Sequence, residues 1–182
     1  MYEYCPMGVN WEFDDVVSFT GNKFEKLTDL IFEKSDTFSF TVARWLDDKN
    51  EELEKALESY KVNQFVTPIW YGYCAGEMLI DELPLKKIYL YEANEDTKKI
   101  LLNHIADLFL NKMENDALIE QELSLEDINF FKDETWVLGT VSHEMIATLY
   151  NTDSSFDDLI KEIGNWKYIK NAAPLKISDF VS

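Results

Sequence analysis

Basic side chains, cysteines, histidines and chain-breaking residues are all scarce in this sequence, and each scarcity closes off a class of protein. Only 17 of the 182 residues are Lys or Arg. A single one, Arg44, carries a guanidinium. One arginine builds no multi-arginine clamp on phosphate, and sequence-independent nucleic-acid binding depends on neutralising phosphates with Lys and Arg. The same deficit disfavours an anionic membrane surface. Two cysteines, Cys5 and Cys74, are too few and too far apart for a disulfide framework or a zinc site. Cys74 sits in an apolar stretch and reads as a small buried hydrophobe. With 6 Gly and 4 Pro there is no linker composition. With no internal repeat either, the expectation is one acidic globular domain over 1–182.

Motifs that carry chemistry are missing as well. No GxGxxG, GxxxxGK[ST] or GxSxG occurs. Gly72-x-x-x-Gly76 stands without the lysine a phosphate loop needs. No EF-hand spacing is present, and the doublets Asp14-Asp15 and Asp157-Asp158 are ordinary in so acidic a chain. Neither a metal nor a cofactor is implied. Of the two histidines, His104 lies on the apolar stripe of a helical pattern and reads as structural. His143 falls at a turn beside Ser142 and Glu144. Neighbours on a strand point to opposite faces, so these three form no triad by adjacency. His143 and Glu144 are nevertheless the weak catalytic candidates. No apolar run approaches the roughly 18 to 20 residues of a membrane span. The start of the chain, with Glu3, Glu12, Asp14 and Asp15 and no basic residue up to that point, is unlike a signal peptide. A cytoplasmic protein is expected.

What the chain has in abundance is acid. Its 35 Asp and Glu give a formal net charge of -18, a self-repulsion the folded state must carry. It also has 46% hydrophobic and 14% aromatic residues, far from the composition of a disordered acidic tail. A chain of this length buries roughly 70% of its unfolded surface, so a real core follows.

Periodicity supplies the elements of that core. Lys23 to Lys34, Lys49 to Lys61, Glu95 to Met113 and the run from Ser154 to Gly164 place apolar residues at helical spacing. Asp47 or Asp48 suits the N-cap of the second, Asn94 that of the third. Ser154-x-x-Asp157 has the spacing of a capping box at the fourth. Strands are expected at Val16 to Thr20, Thr37 to Trp45, Phe65 to Cys74, Lys87 to Glu92, Asp127 to Phe131, Thr135 to Val141 and Met145 to Tyr150. The alternation in Phe38-Ser39-Phe40-Thr41-Val42 predicts one polar, solvated face. Lys132-Asp133-Glu134 and Ser142-His143-Glu144 read as the turns of a meander, and Met1 to Asn10 as either a mobile arm or a strand added late. Strict strand–helix alternation ends after Met113. The fold expected is therefore α+β, a largely antiparallel sheet with about four amphipathic helices packed on it as a two-layer sandwich.

Two acidic clusters stand out. Between Glu114 and Asp127 the chain carries Glu114, Asp116, Glu120, Glu122, Glu126 and Asp127 with no basic residue. These read as a solvated connection or as part of an acidic docking surface. Asp47, Asp48, Glu51, Glu52, Glu54 and Glu58 form the second, broken by Lys49 and Lys55. The favoured function is a binding domain that docks on and inhibits a basic protein partner, with charge raising the association rate and aromatics as anchors. Small acidic bacterial immunity proteins neutralise basic nuclease toxins by this logic, an analogy of charge and size; nucleic-acid mimicry is a variant of it. The alternatives are a hydrolytic or small-molecule-binding enzyme with a pocket near His143 and Glu144, and a structural or oligomeric component whose acidity serves solubility.

Overall fold

The computed structural model describes residues 2–4, 20–43, 50–71, 85–150, 153–163, 166–168 and 175–181. In chain order the elements are β1 (Tyr2–Tyr4), α1 (Asn22–Lys34), β2 (Thr37–Val42), α2 (Glu52–Leu57), β3 (Lys61–Thr67), β4 (Lys86–Glu92), α3 (Glu95–His104), β5 (Lys112–Glu114), β6 (Ala117–Ile119), β7 (Leu125–Lys132), β8 (Thr135–Val141), β9 (Ile146–Leu149), α4 (Ser154–Ile163) and β10 (Trp166–Tyr168). Eight strands form one sheet in the order β10-β1-β9-β8-β7-β2-β4-β3, and β5 and β6 make a separate hairpin. The paired strands of the large sheet run antiparallel throughout. The α+β class and the antiparallel sheet are thus as the sequence indicated. Of the stretch Met1 to Asn10, left open as a mobile arm or a strand, Tyr2–Tyr4 form β1 between β9 and β10, and the rest lies outside the described residues.

Local chemistry explains the turns. Asp133 and Glu134 take φ of 47° and 62° between the paired Lys132 and Thr135, which is the two-residue turn that matches strand twist. Asn115 and Asp116 do the same, at 50° and 62°, between β5 and β6. Asn94 caps α3, its side chain accepting from the backbone of Asp96 and Thr97 at 3.0 Å. Thr97 Oγ1 answers by accepting from Asn94 N.

On one face of the sheet Phe38 and Phe40 of β2, Tyr89 and Tyr91 of β4 and Phe130 of β7 pack in one cluster with Leu27 and Ile31 of α1, Leu57 of α2, Leu101 of α3 and Phe156 of α4. Burying each such side chain contributes about 1.5–3 kcal/mol. The other face carries Trp70, Ile88, Leu90, Phe131, Trp136 and Tyr150, closed over by Leu175, Ile177 and Phe180. Thr67 Oγ1 holds that last segment through Phe180 O at 2.6 Å. Tyr71 lies so close over Gly139 that a Cβ there would sit 2.5 Å from its ring.

Several expectations need correction. The polar face of β2 is not solvated: Ser39 and Thr41 are fully buried. Their hydroxyls find no hydrogen-bond partner among the described residues. Beside Ser39, Asn129 accepts from Trp136 Nε1 at 3.0 Å and donates to Asp127 O at 2.8 Å. Ser39 lies opposite Leu90 and Thr41 opposite Ile88, on the face that also carries Trp70 and Phe180, residues distant in sequence that alternation within five residues does not reveal.

The long helix stops at His104 instead of Met113. The Asp107 carboxylate accepts from Phe109 N, Asn111 N and Asn111 Nδ2 and folds the chain into a local turn. Burial raises the pKa of Asp107, and those hydrogen bonds oppose the rise.

The helix expected from Lys49 to Lys61 shortens to α2 and a 3-10 turn, and Lys61 begins β3 instead. The Asn50 side chain accepts from Glu52 N at 2.8 Å, in the place expected of Asp47 or Asp48, which lie outside the described residues. At α4, Asp153 supplies the cap, accepting from the backbone of Ser155 and Phe156. Of the strand expected at Phe65 to Cys74, residues 65–67 lie in β3, 68–71 are in no strand and 72–74 lie outside the described residues; of that at Thr37 to Trp45, β2 ends at Val42 and 44–45 lie outside them, as does almost all of Val16 to Thr20.

Candidate functional site

Cross-chain backbone bonds bring the two acidic clusters together. Asn50 N donates to Glu122 O at 2.9 Å, and Ser124 N donates to Asn50 O at 3.0 Å. A short parallel bridge thereby joins Asn50 to Leu123, just before α2 and just before β7. The alternation of residues 120–123 then sets the direction of each side chain. Gln121 turns inward, its Nε2 donating to His104 O at 3.0 Å and Leu110 O at 2.7 Å. Leu123 is buried in the core. Glu120 and Glu122 are therefore left exposed. Across the bridge, Leu53 and Leu57 bury one side of α2, and Glu51 and Glu52 at its start are exposed.

Several acids elsewhere are held by lysines. Asp153 binds Lys34 at 2.8 Å, Asp29 and Glu95 share Lys98, and Glu162 binds Lys26. The Lys34 hydrogen bond, then that from Ser155, hold the Asp153 carboxyl well below its ordinary range, and Lys34 is raised in turn. Hydrogen bonding to Asp29 raises Lys98 likewise. At the junction Glu51 pairs with Lys55 on its own helix. Glu52, Glu120 and Glu122 have no cationic partner among the described residues.

The remaining candidates lie as follows. Glu114, paired with Lys112 at 3.2 Å, and Asp116 stand exposed at the tip of the β5–β6 hairpin. Glu126 is half-buried in β7, opposite Thr41. Asp127 is fully buried at positive φ. Its carboxylate accepts from Ser142 N at 2.7 Å and its N–H donates to Ser142 Oγ at 3.1 Å. That reciprocal pair locks the bend in β7 to the turn after β8, so Asp127 is a structural lock with no carboxylate to present to a partner. The same lock holds Ser142.

His143 Nε2 lies 3.9 Å from Glu144 Oε1, with both side chains more than half exposed. An exposed pair on a 3-10 turn, with Ser142 engaged elsewhere, provides no enclosed base and no positioned nucleophile. A cavity of about 290 Å³ lies elsewhere, between the start of α1 and the end of α3, lined by Phe24, Glu25, His104, Lys112 and Met113 among others. His104 Nδ1 is 2.8 Å from Ile100 O, a bond that holds the ring to its own helix. Among the described residues no group of three or more His, Cys, Asp and Glu is placed to hold a metal, and no helix is long and apolar enough to cross a membrane.

Asn50 and Gln121, which build the junction, carried no functional signal in the sequence. Alternation in Glu120-Gln121-Glu122-Leu123 was the one available sign that both glutamates would face the same way. Set against protein-family models, characterised proteins and solved structures, the chain matches none of them.

Proposed function

We propose that this protein is an acidic binding module that docks on a basic protein partner and blocks it, using Glu51, Glu52, Glu120 and Glu122 as the centre of its contact surface. The observation that carries the reading is the bridge between Asn50 and Leu123, which joins two acidic clusters far apart in sequence into one exposed patch. Glu114 and Asp116 on the nearby hairpin extend the same sign of charge. Carboxylates without cationic partners repel one another in the free protein, and a basic surface relieves that repulsion on binding. Such a field raises association rates by about 10 to 10³-fold.

In this reading the chain is one cytoplasmic domain, a two-layer sandwich whose amphipathic helices share one side of the sheet and hold the patch rigid. Inhibition follows where the partner's basic surface is itself the part that works on an anionic substrate. The test is capture of partners on the immobilised protein from a lysate of its source, at about 50 mM and about 500 mM salt, where screening differs several-fold. A stoichiometric basic protein held at low salt and released at high salt is the expected result. A partner that is acidic, or whose retention is indifferent to salt, would overturn it.

A further inference from the structure

The cavity between the start of α1 and the end of α3 adjoins the acidic junction. Gln121, flanked by the exposed Glu120 and Glu122, donates to His104 O, and His104 lines the cavity. Lys112, also in the lining, pairs with Ile119, the residue before Glu120. We propose that this cavity receives an arginine side chain of the basic partner, which deepens the docking reading above and rests on it. Its volume of about 290 Å³ is at the lower end of the roughly 300–1,000 Å³ of small-molecule sites. That is room for a single long side chain.

The lining supplies acceptors and an apolar wall. Helix α3 ends at His104, and of its last four carbonyls Leu101 O accepts from Ile105 N and His104 O from Gln121 Nε2. Leu102 O and Asn103 O receive no hydrogen bond among the described residues, and both residues line the cavity. Glu25 lines it too, exposed and with no cationic partner among the described residues. A carbonyl oxygen only accepts, so His104 Nδ1 donates to Ile100 O; in the neutral ring this leaves Nε2 as a further acceptor. Phe24, Ile105 and Met113 add apolar surface.

The positive features beside the cavity are offset within the fold. Lys112 Nζ lies 3.2 Å from Glu114 Oε2. The positive end of α1, at Gly21, is met by Glu25 in its own first turn. Arginine suits this lining better than lysine, because its planar fork of five N–H donors reaches several acceptors at once while its flat face lies against carbon. Arginine is also enriched among the side chains that anchor interfaces by filling pockets. The field of a chain carrying -18 draws such a cation in.

Titration of the full chain with N-acetylarginine amide, followed in nitrogen-15 spectra, tests this. Backbone amides of residues 21–25, 102–106 and 112–113 should shift together and saturate at roughly millimolar concentration. The citrulline analogue, of the same shape without the charge, should bind about tenfold more weakly. Glu25→Gln, at an exposed position, should weaken the arginine compound by about tenfold with an unchanged circular dichroism spectrum. The variant with Glu51, Glu52, Glu120 and Glu122 all changed to Gln should bind it as the parent does. No saturable shift at those amides, equal affinity for the citrulline analogue, tighter binding of N-acetylglutamate amide, parent-like binding by Glu25→Gln, or loss of binding in the four-Gln variant would each overturn the proposal. Capture of a partner depends on the patch and this titration does not, so either can fail alone.

Discussion

The junction at Asn50 and Leu123 and the outer edge of β3 are both short extended segments on the rim of the same scaffold, yet they are built on opposite principles. At the junction, backbone pairing and the inward Gln121 and Leu123 hold acids outward, Glu52, Glu120 and Glu122 of them without a cationic partner among the described residues. At β3, acids are absent, the lysines fold inward and valines face out. Some acids elsewhere are paired, as Asp153 is with Lys34 and Asp29 with Lys98. The contrast teaches that a net charge says little by itself. On the proposed reading, what matters is where the fold leaves carboxylates without partners.

Breaking the scaffold under one region should have the largest effect. Leu57 is fully buried beneath α2, and Leu57→Ala should cost about 2–5 kcal/mol in urea unfolding. Partner binding should weaken with it, because Glu51 and Glu52 lose their platform. A cost near zero would mean that α2 does not hold the patch.

Removing the charge alone should separate binding from folding. Replacing Glu51, Glu52, Glu120 and Glu122 together by Gln should weaken partner binding at least tenfold, about 1.4 kcal/mol, in a titration. Thermal stability should stay level or rise slightly at low salt, since repulsion is relieved. Next comes the anchor: Gln121→Ala deletes the bonds to His104 O and Leu110 O and should cost about 1 kcal/mol. Backbone hydrogen exchange should speed up at 120–124 and stay unchanged at β3.

The smallest effect belongs to the paired acids. The carboxyl of Asp153 sits below its ordinary 3.8 in the folded protein. Its contribution is therefore present above that value and lost as pH falls through it toward the folded value. Asp153→Asn should lower the melting temperature at neutral pH, with the gap narrowing as pH falls below 3.8. Partner binding at neutral pH should be untouched. A gap that widens in acid would reverse the sign argued here.

How much of this was legible in the sequence varies by residue. Asn94, Asp133 and Glu134, and the apolar spacing of Phe24, Leu27 and Ile31 act on near neighbours, and pattern alone was enough. Helix α3 was read too long because Ile105, Leu108 and Phe109 continue the apolar spacing, while the three bonds that Asp107 accepts override it. Ser39 and Thr41 were read as solvated because the second cluster on their face of the sheet is assembled from residues distant in sequence. The acidic clusters were visible as composition, but their meeting was not. It depends on a backbone bridge between residues 50 and 123, and nothing in either stretch names the other. Asp127 looked like one more surface acid until its bonds to Ser142 placed it inside.

The most direct test of the central claim uses two baits in parallel, the parent chain and the variant with Glu51, Glu52, Glu120 and Glu122 all changed to Gln, immobilised at equal density and exposed to the same lysate at low salt. The account predicts a basic protein retained by the parent, lost at high salt, and reduced at least tenfold on the variant. The same protein retained equally by both baits would contradict it, and would remove the patch joined at Asn50 and Leu123 from the protein's function.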